Sequence, residues 1–178
     1  MFVEEIVSHL ELTSPEELRA ARVPRRHVTL WEVGTEHLQA IREVHDRVAW
    51  PHGWPSLLWS SDTWWEHLER PGVRTWIAEV DGQVAGLAQL QAQPGGAVEI
   101  EFFGLAPEFV GVGIGGHLLT LVTRLAWEFA PVDGTPIGRV WLRTSSHDHG
   151  NAVANYRARG FRLHHIEVRQ REFVLASR

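Results

Sequence analysis

The most constraining stretch of this chain is Leu105-Ala106-Pro107-Glu108-Phe109-Val110-Gly111-Val112-Gly113-Ile114-Gly115-Gly116, where an apolar run passes through a glycine loop directly into a helical pattern. Glycines let a backbone approach a ligand closely, and the first turn of a helix leaves N–H groups without intrahelical acceptors. With the helix dipole added, such a loop can hold an anion such as a phosphate with no basic side chain. Gly111, Gly113 and Gly116 also match G-x-G-x-x-G, the dinucleotide fingerprint. The context opposes that reading. A dinucleotide fold wants parallel βαβ repeats and an acidic residue at a second strand end about 20 residues on, whereas the nearest candidate, Asp133, sits in a Pro/Gly turn. Close packing of a helix start is the alternative use of the same glycines.

Elements around the loop follow from periodicity and punctuation. Ser14-Pro15-Glu16-Glu17 carries an N-cap, an N1 proline and a capping-box Glu, predicting a short helix that Pro24 ends. A strand is predicted over His27–Val33, then a helix carrying Leu38, Ile41, Val44 and Val48 at helical spacing. Pro51, Gly53 and Pro55 mark a loop, and a second helix is capped near Ser61 or Asp62. Thr75–Val80, the Asp81-Gly82 turn, Gln83–Leu90, the Pro94-Gly95-Gly96 turn and Ala97–Leu105 predict three consecutive antiparallel strands. Gly113–Ala130 reads as an amphipathic helix closed by Pro131, and Arg139–Arg143 as a strand. A helix up to Gly160 and a strand over Phe161–Val168 follow, with Glu172–Arg178 a further strand or a tail.

Composition removes whole classes of chemistry. The 178 residues allow one domain of ordinary size, and 44% hydrophobic with 22% charged residues is the balance of a folded globular chain. A net charge of −5 with no basic block leaves no electrostatic footprint for nucleic acid. Cysteine is absent, which excludes disulfides, thiolate nucleophiles and Cys-ligated metals; lysine is absent too, which excludes Schiff-base chemistry and a Walker-type loop. Met1–Leu12 has no basic n-region or long apolar run, and no stretch reaches the ~18 apolar residues of a membrane span, so the expectation is a cytoplasmic protein without a membrane partner.

The run Phe103-Gly104-Leu105-Ala106-Pro107-Glu108-Phe109, the glycine loop, and Tyr156-Arg157-Ala158-Arg159-Gly160-Phe161 together resemble the GNAT superfamily of acyl-CoA-dependent N-acyltransferases, over roughly residues 27 to 168. The family's loop usually reads R/Q-x-x-G-x-G/A; here Val110 takes the Arg/Gln place, with Gly113 and Gly115 in register. The family's second motif, N-x-x-A-x-x-x-Y-x-x-x-G-F, is met by Ala152, Tyr156, Gly160 and Phe161, with His149 replacing Asn. The string from Asp148 to Tyr156 looks like a bacterial subset of the family. The resemblance implies an α+β, three-layer α/β/α fold whose mixed, mainly antiparallel sheet splays open to hold acetyl-CoA. In that frame the domain is 27–178, and 1–26 is an N-terminal arm that packs on the domain or reaches a partner subunit of a homodimer.

The resemblance also implies roles. The pyrophosphate of acetyl-CoA would lie on the N–H groups of Val110, Gly111, Val112, Gly113, Ile114, Gly115 and Gly116, and the Leu105 N–H would polarise the thioester carbonyl. Tyr156, the only tyrosine, matches the general acid that protonates the departing thiolate; its alternative is plain packing. Glu99 and Glu101 are the base candidates, Glu99 ranked first, since a strand period of two puts both on one face with Phe103. Solvated or arginine-paired strand carboxylates are the competing account.

His149 is placed near the pantetheine or the reacting amine and is a further base candidate. Asp148 is read as the cap of the following helix rather than as part of a metal site, because neighbours His147, Asp148 and His149 on a turn point apart. Trp50, Trp54, Trp59, Trp64 and Trp65 shape an acceptor pocket, the core or an interface; Trp64 and Trp65 face about 100° apart, so only one is core. The expected activity is acetyl transfer to an amine acceptor by direct attack in a ternary complex, without a metal. The alternatives are an acyl-CoA-binding sensor of the same fold and a nucleotide-binding oxidoreductase.

Overall fold

A computed structural model describes residues 1–174 of the chain. One seven-stranded sheet runs in the order β2-β3-β4-β5-β6-β1-β7, and every neighbouring pair is antiparallel except β5 with β6. The strands are β1 (Phe2–Leu12), β2 (Val28–Val33), β3 (Val73–Val80), β4 (Gln83–Gln93), β5 (Ala97–Leu105), β6 (Arg139–Ser145) and β7 (Arg162–Glu172). The helices are α1 (Leu38–Ala49), α2 (Ser61–Leu68), α3 (Gly115–Trp127) and α4 (Ala152–Ala158).

Two layers of helix sandwich this sheet. Trp76, Ala78, Ala88, Leu90, Val98, Ile100, Val140 and Leu142 pack with Leu118, Leu119, Val122 and Ala126 of α3 and Tyr156 of α4. The intervening Ile77 and Leu87 face the other way, onto Val44 and Val48 of α1. Each such fully buried aliphatic side chain contributes roughly 1.5–3 kcal/mol. This is the three-layer α/β/α arrangement expected. Local signals set the corners: Asp81 and Gly82 both take positive φ, 51° and 78°, as a two-residue hairpin turn requires. The cap of α2 is Ser60, one residue ahead of the expected Ser61, its hydroxyl accepting from the Thr63 N–H at 3.1 Å.

The N-terminus departs from expectation. Residues 2–12 are not an arm outside the domain but the strand between β6 and β7, and the short helix at Ser14–Glu17 is a single 3-10 turn, Pro15–Glu17. Buried positions in β1 switch faces along its length. Glu5 and Val7 are buried on one side, Leu10 and Leu12 on the other. β7 runs on to Glu172, so that residue belongs to it, while 175–178 of the expected further strand or tail lie outside the described residues.

Two irregularities shape the site. Parallel pairing of β5 with β6 stops at Ile100–Leu142, although β5 continues to Leu105 and β6 to Ser145, so the sheet splays. A bulge in the β4–β5 ladder, where Gln89 pairs with Phe102 and Leu90 with Ile100, leaves Glu101 as the extra residue. It takes only Phe103 off the face expected for Glu99, Glu101 and Phe103: Glu99 lies opposite Ile100 and the α3 core, Glu101 stays on that side with His67 and Arg70 at the α2 end, and Phe103 packs against the α3 core.

Candidate active site

The splay opens into a cavity of about 410 Å³ between the end of β5, the loop into α3, α4 and the 13–27 segment. Val110, Gly111, Gly113, Gly115 and Gly116 line it; the Val112 side chain is solvent-exposed instead, and Ile114 is fully buried against Val80, Ala85, Ala106 and Phe109. Ile114 thus anchors the loop from below while the glycines face the space. Gly111 and Gly113 hold φ of +78° and +82°, and a Cβ on either would meet nothing within 4 Å. Val110 is a correction to the expected donor set: its N–H is spent on the Pro107 carbonyl at 3.2 Å. The first-turn N–H groups of α3 remain free of intrahelical acceptors.

Leu105 also lines the cavity. The next residue, Ala106, donates its N–H to Ala85 of the β4 side at 2.7 Å. Successive N–H groups of an extended chain point to opposite edges, so the Leu105 N–H is directed into the splay, where β6 no longer pairs.

Tyr156 sits at the inner end. Its ring packs on Phe103 and Phe161, each with centroids 6.4 Å away, and is 7% exposed. Burial, and secondarily the negative charge of Asp148, push the phenol above its ordinary pKa, so it stays protonated across the neutral range. His149 lines the same cavity, its Nδ1 accepting from the Asn151 N–H at 3.2 Å.

A smaller recess of about 30 Å³ shares Trp54, Phe103, Asp148 and Tyr156 with the main cavity and adds Glu101 and Arg143. The two carboxylates ranked from the sequence therefore separate. Glu101 borders the recess, with Oε2 accepting from Arg70 at 2.7 Å and 3.8 Å from His67 Nε2. Glu99 borders neither space; it is 4% exposed and holds Gln93 and Arg143 at 3.0 and 3.1 Å. Burial pushes the Glu99 carboxyl up, against the opposing pull of Arg143.

Asp148 does not cap α4. It accepts from the Ser145 N–H at 2.8 Å, the Thr144 hydroxyl at 2.9 Å and the Trp54 indole N–H at 2.9 Å. The last bond ties the α1–α2 loop across the splay to the β6–α4 turn. His147 turns away to the Glu4 carbonyl at 2.9 Å, and no three metal-ligating side chains converge among the described residues. The remaining tryptophans divide as well: Trp64 is core at 1% exposure, Trp65 is 45% exposed, and Trp54, Trp59 and Trp64 pack around Phe102 with centroids 5.7–6.0 Å away. Trp54, one of the tryptophans read as a candidate acceptor pocket, lines the cavity, as does Asp148, read from the sequence only as a cap; Arg22 and Arg159 line it too and carried no local signal in the sequence.

The family model described as the acetyltransferase (GNAT) family matches residues 35–161, well over half of the chain. The chain belongs to the GNAT family. Solved GNAT structures share its fold at low identity. A GCN5-related N-acetyltransferase from Sphaerobacter thermophilus superposes with a TM-score of 0.70 at 17% identity, over 94% of this chain and 51% of that one. One from Kribbella flavida gives 0.65 at 18%, over 95% and 58%. An aminoglycoside N-acetyltransferase solved in complex with CoA gives 0.52 at 19%, over 88% and 99%. The chain spans 51–63% of the length of the first four solved relatives. No curated protein matches the sequence. In GNAT terms the loop, the splay and the tyrosine fall inside the matched region, whereas the 13–27 segment precedes it. No helix among the described residues is long and apolar enough to cross a membrane.

Proposed function

We propose that this GNAT protein transfers the acetyl group of acetyl-CoA to an amine by direct attack within a ternary complex. The observation that carries the reading is the single cavity joining an open glycine loop at a helix start to a buried, protonated tyrosine. A structural neighbour with near-complete mutual coverage was solved with CoA, which supports CoA as the ligand class.

In this reading the N–H groups of residues 111–117 hold the pyrophosphate, and His149 lies along the pantetheine. The Leu105 N–H donates to the thioester oxygen as negative charge grows there, an interaction strengthened in a water-poor site. Glu101, through a water in the recess, takes the proton released by the attacking amine; its support over Glu99 is that it borders the recess. Tyr156 gives its proton to the departing thiolate and regains one from solvent. Glu101 and Asp148 beside Trp54 and Phe103 favour an acceptor that carries positive charge before deprotonation.

The test is calorimetric titration with acetyl-CoA, CoA and NAD, followed by thiol release with a panel of amines. Micromolar acetyl-CoA binding and amine-dependent thiol release are expected. Binding without turnover of any amine would instead make the chain an acyl-CoA sensor, and NAD binding in place of CoA would overturn the reading entirely.

A further inference from the structure

The 13–27 segment, which precedes the family match, builds one wall of the cavity. Its path is pinned at three points. The Arg19 N–H donates to the Arg159 carbonyl at 2.9 Å, and the Ala21 N–H donates to Thr120 Oγ1 at 3.0 Å, the Thr120 hydroxyl itself donating to the Gly116 carbonyl at 2.8 Å. Gly160, at φ +98°, leaves room for the Glu17 carbonyl, which would lie 2.1 Å from a Cβ there. So held, Ala21 and Arg22 reach the cavity beside Arg159 of the α4 C-terminus. A Cβ on Gly116 would sit 2.7 Å from Arg159 Nη1 and 3.2 Å from Ala21 Cβ, so strap, α4 and the first turn of α3 converge on one spot.

The charges at that spot are uncompensated. Among the described residues, nine of sixteen arginines pair with carboxylates. Arg22 and Arg159 pair with none among the described residues, and Arg159 Nε is shut away from solvent without an acceptor. In a chain of net charge −5, whose overall field repels anions, two free guanidinium groups on one cavity form a local exception. Backbone N–H groups suffice for a pyrophosphate at a helix start. A terminal phosphomonoester carries nearly two charges at neutral pH and offers three acceptor oxygens, the target that paired guanidinium forks fit best.

We propose that Arg22 and Arg159 clamp the ribose 3′-phosphate of the acyl donor, in a subsite beside the glycine loop, in the same cavity, and supplied in part by the N-terminal strap. It rests on the acetyl-CoA reading above. The test compares binding of acetyl-CoA and 3′-dephospho-acetyl-CoA to the full chain and to Arg22→Ala, Arg159→Ala and the double variant. Arg22 is exposed, so its variant should melt as the parent does. The expected result is about tenfold weaker binding of the dephospho ligand by the parent. Each single variant should weaken acetyl-CoA several-fold while leaving the dephospho ligand unchanged, and the double variant should no longer distinguish the two. Equal losses for both ligands, or a double variant that keeps the preference, would overturn the clamp. A parent that binds both ligands equally well refutes the clamp alone, whereas one that binds neither refutes the acetyl-CoA reading beneath it.

Discussion

Replacing Tyr156 with Phe isolates one hydroxyl. The ring keeps its contacts with Phe103 and Phe161, both at 6.4 Å between centroids, and its hydroxyl has no protein hydrogen-bond partner among the described residues. No buried group is stranded by the change, so unfolding free energy should move by less than about 1 kcal/mol. Binding of acetyl-CoA should shift little for the same reason. The chemical step behaves differently. A positioned general acid contributes typically ~10²–10⁴ in rate, so kcat should fall at least ~100-fold, about 2.7 kcal/mol of barrier. Burial raises the phenol pKa, but in the proposed complex the same cavity would desolvate the departing thiolate and raise its proton affinity too, so proton transfer would stay feasible. The raised pKa also means that parent activity shows no alkaline loss from tyrosine ionisation below pH ~10. Thiol release under saturating acetyl-CoA, alongside calorimetric Kd and thermal melts, separates these terms. A variant with kcat within threefold of the parent, or a loss lying wholly in KM, would refute the acid role.

Three further outcomes follow from the same geometry. Glu101→Gln should lower kcat by about tenfold or more while Glu99→Gln stays within a few-fold, since only Glu101 borders the recess; the reverse order in steady-state kinetics would return the base to Glu99. Gly160→Ala forces a side chain to φ +98° and against the Glu17 carbonyl, so thermal unfolding should show a loss of roughly 2–4 kcal/mol, and an unchanged melt would contradict the strap's seating. Glu5 is buried, which alone would raise its pKa, but bonds from Ser145 and Arg169 and the charges of Arg171 and Arg169 outweigh this and hold it below 4.5. Its stabilising effect is therefore full above pH ~4.5 and lost as pH falls through the depressed value. Glu5→Gln, which leaves the buried Arg171 uncompensated, should cost about 3 kcal/mol at pH 7 and converge on the parent in acid melts; parallel pH–stability curves would refute it.

What the sequence disclosed, and what it hid, divides along local and non-local physics. The Asp81-Gly82 hairpin, α1, α3 and the glycine loop carry their signals within a few residues, and all appear where expected. β1 was hidden because its burial is not one-sided: Glu5 and Val7 are covered on one face, Leu10 and Leu12 on the other, so the period-two pattern cancels. A buried glutamate at Glu5 looks like solvent exposure until Arg171, 166 residues away, is known to meet it. The bulge at Glu101 is equally silent, since a bulge is a property of pairing with β4 and not of β5 alone. The proposed preference for Glu101 over Glu99 rests on the recess that Glu101 borders, which no local pattern in β5 announces. Asp148 had the composition of a helix cap, and only the tertiary approach of Trp54 shows why its carboxylate turns elsewhere.

The N-terminal strand accounts for the cavity's existence as well as its wall. β6 has two hydrogen-bonding edges, and past Leu142 the edge toward β5 is unpaired because the strands diverge. A strand segment left with no partner would fray. β1 prevents this: it pairs with β6 from Val140 through Ser145, so that Arg143, Thr144 and Ser145, which have parted from β5, keep a partner, and it is itself held on its far side by β7. The splay can therefore stay open without ligand, with Leu105 presenting its N–H to the gap and Arg143 and Asp148 held across from Glu101. The same segment then turns at Pro15–Glu17, crosses α4 and α3, and delivers Arg22 to the cavity. One stretch of chain outside the family match thus braces the strand that leaves the sheet and completes the cavity wall beside it. That is why a sheet broken at its centre can still offer a preorganised site, with the ordering cost of the gap already met in the folded protein.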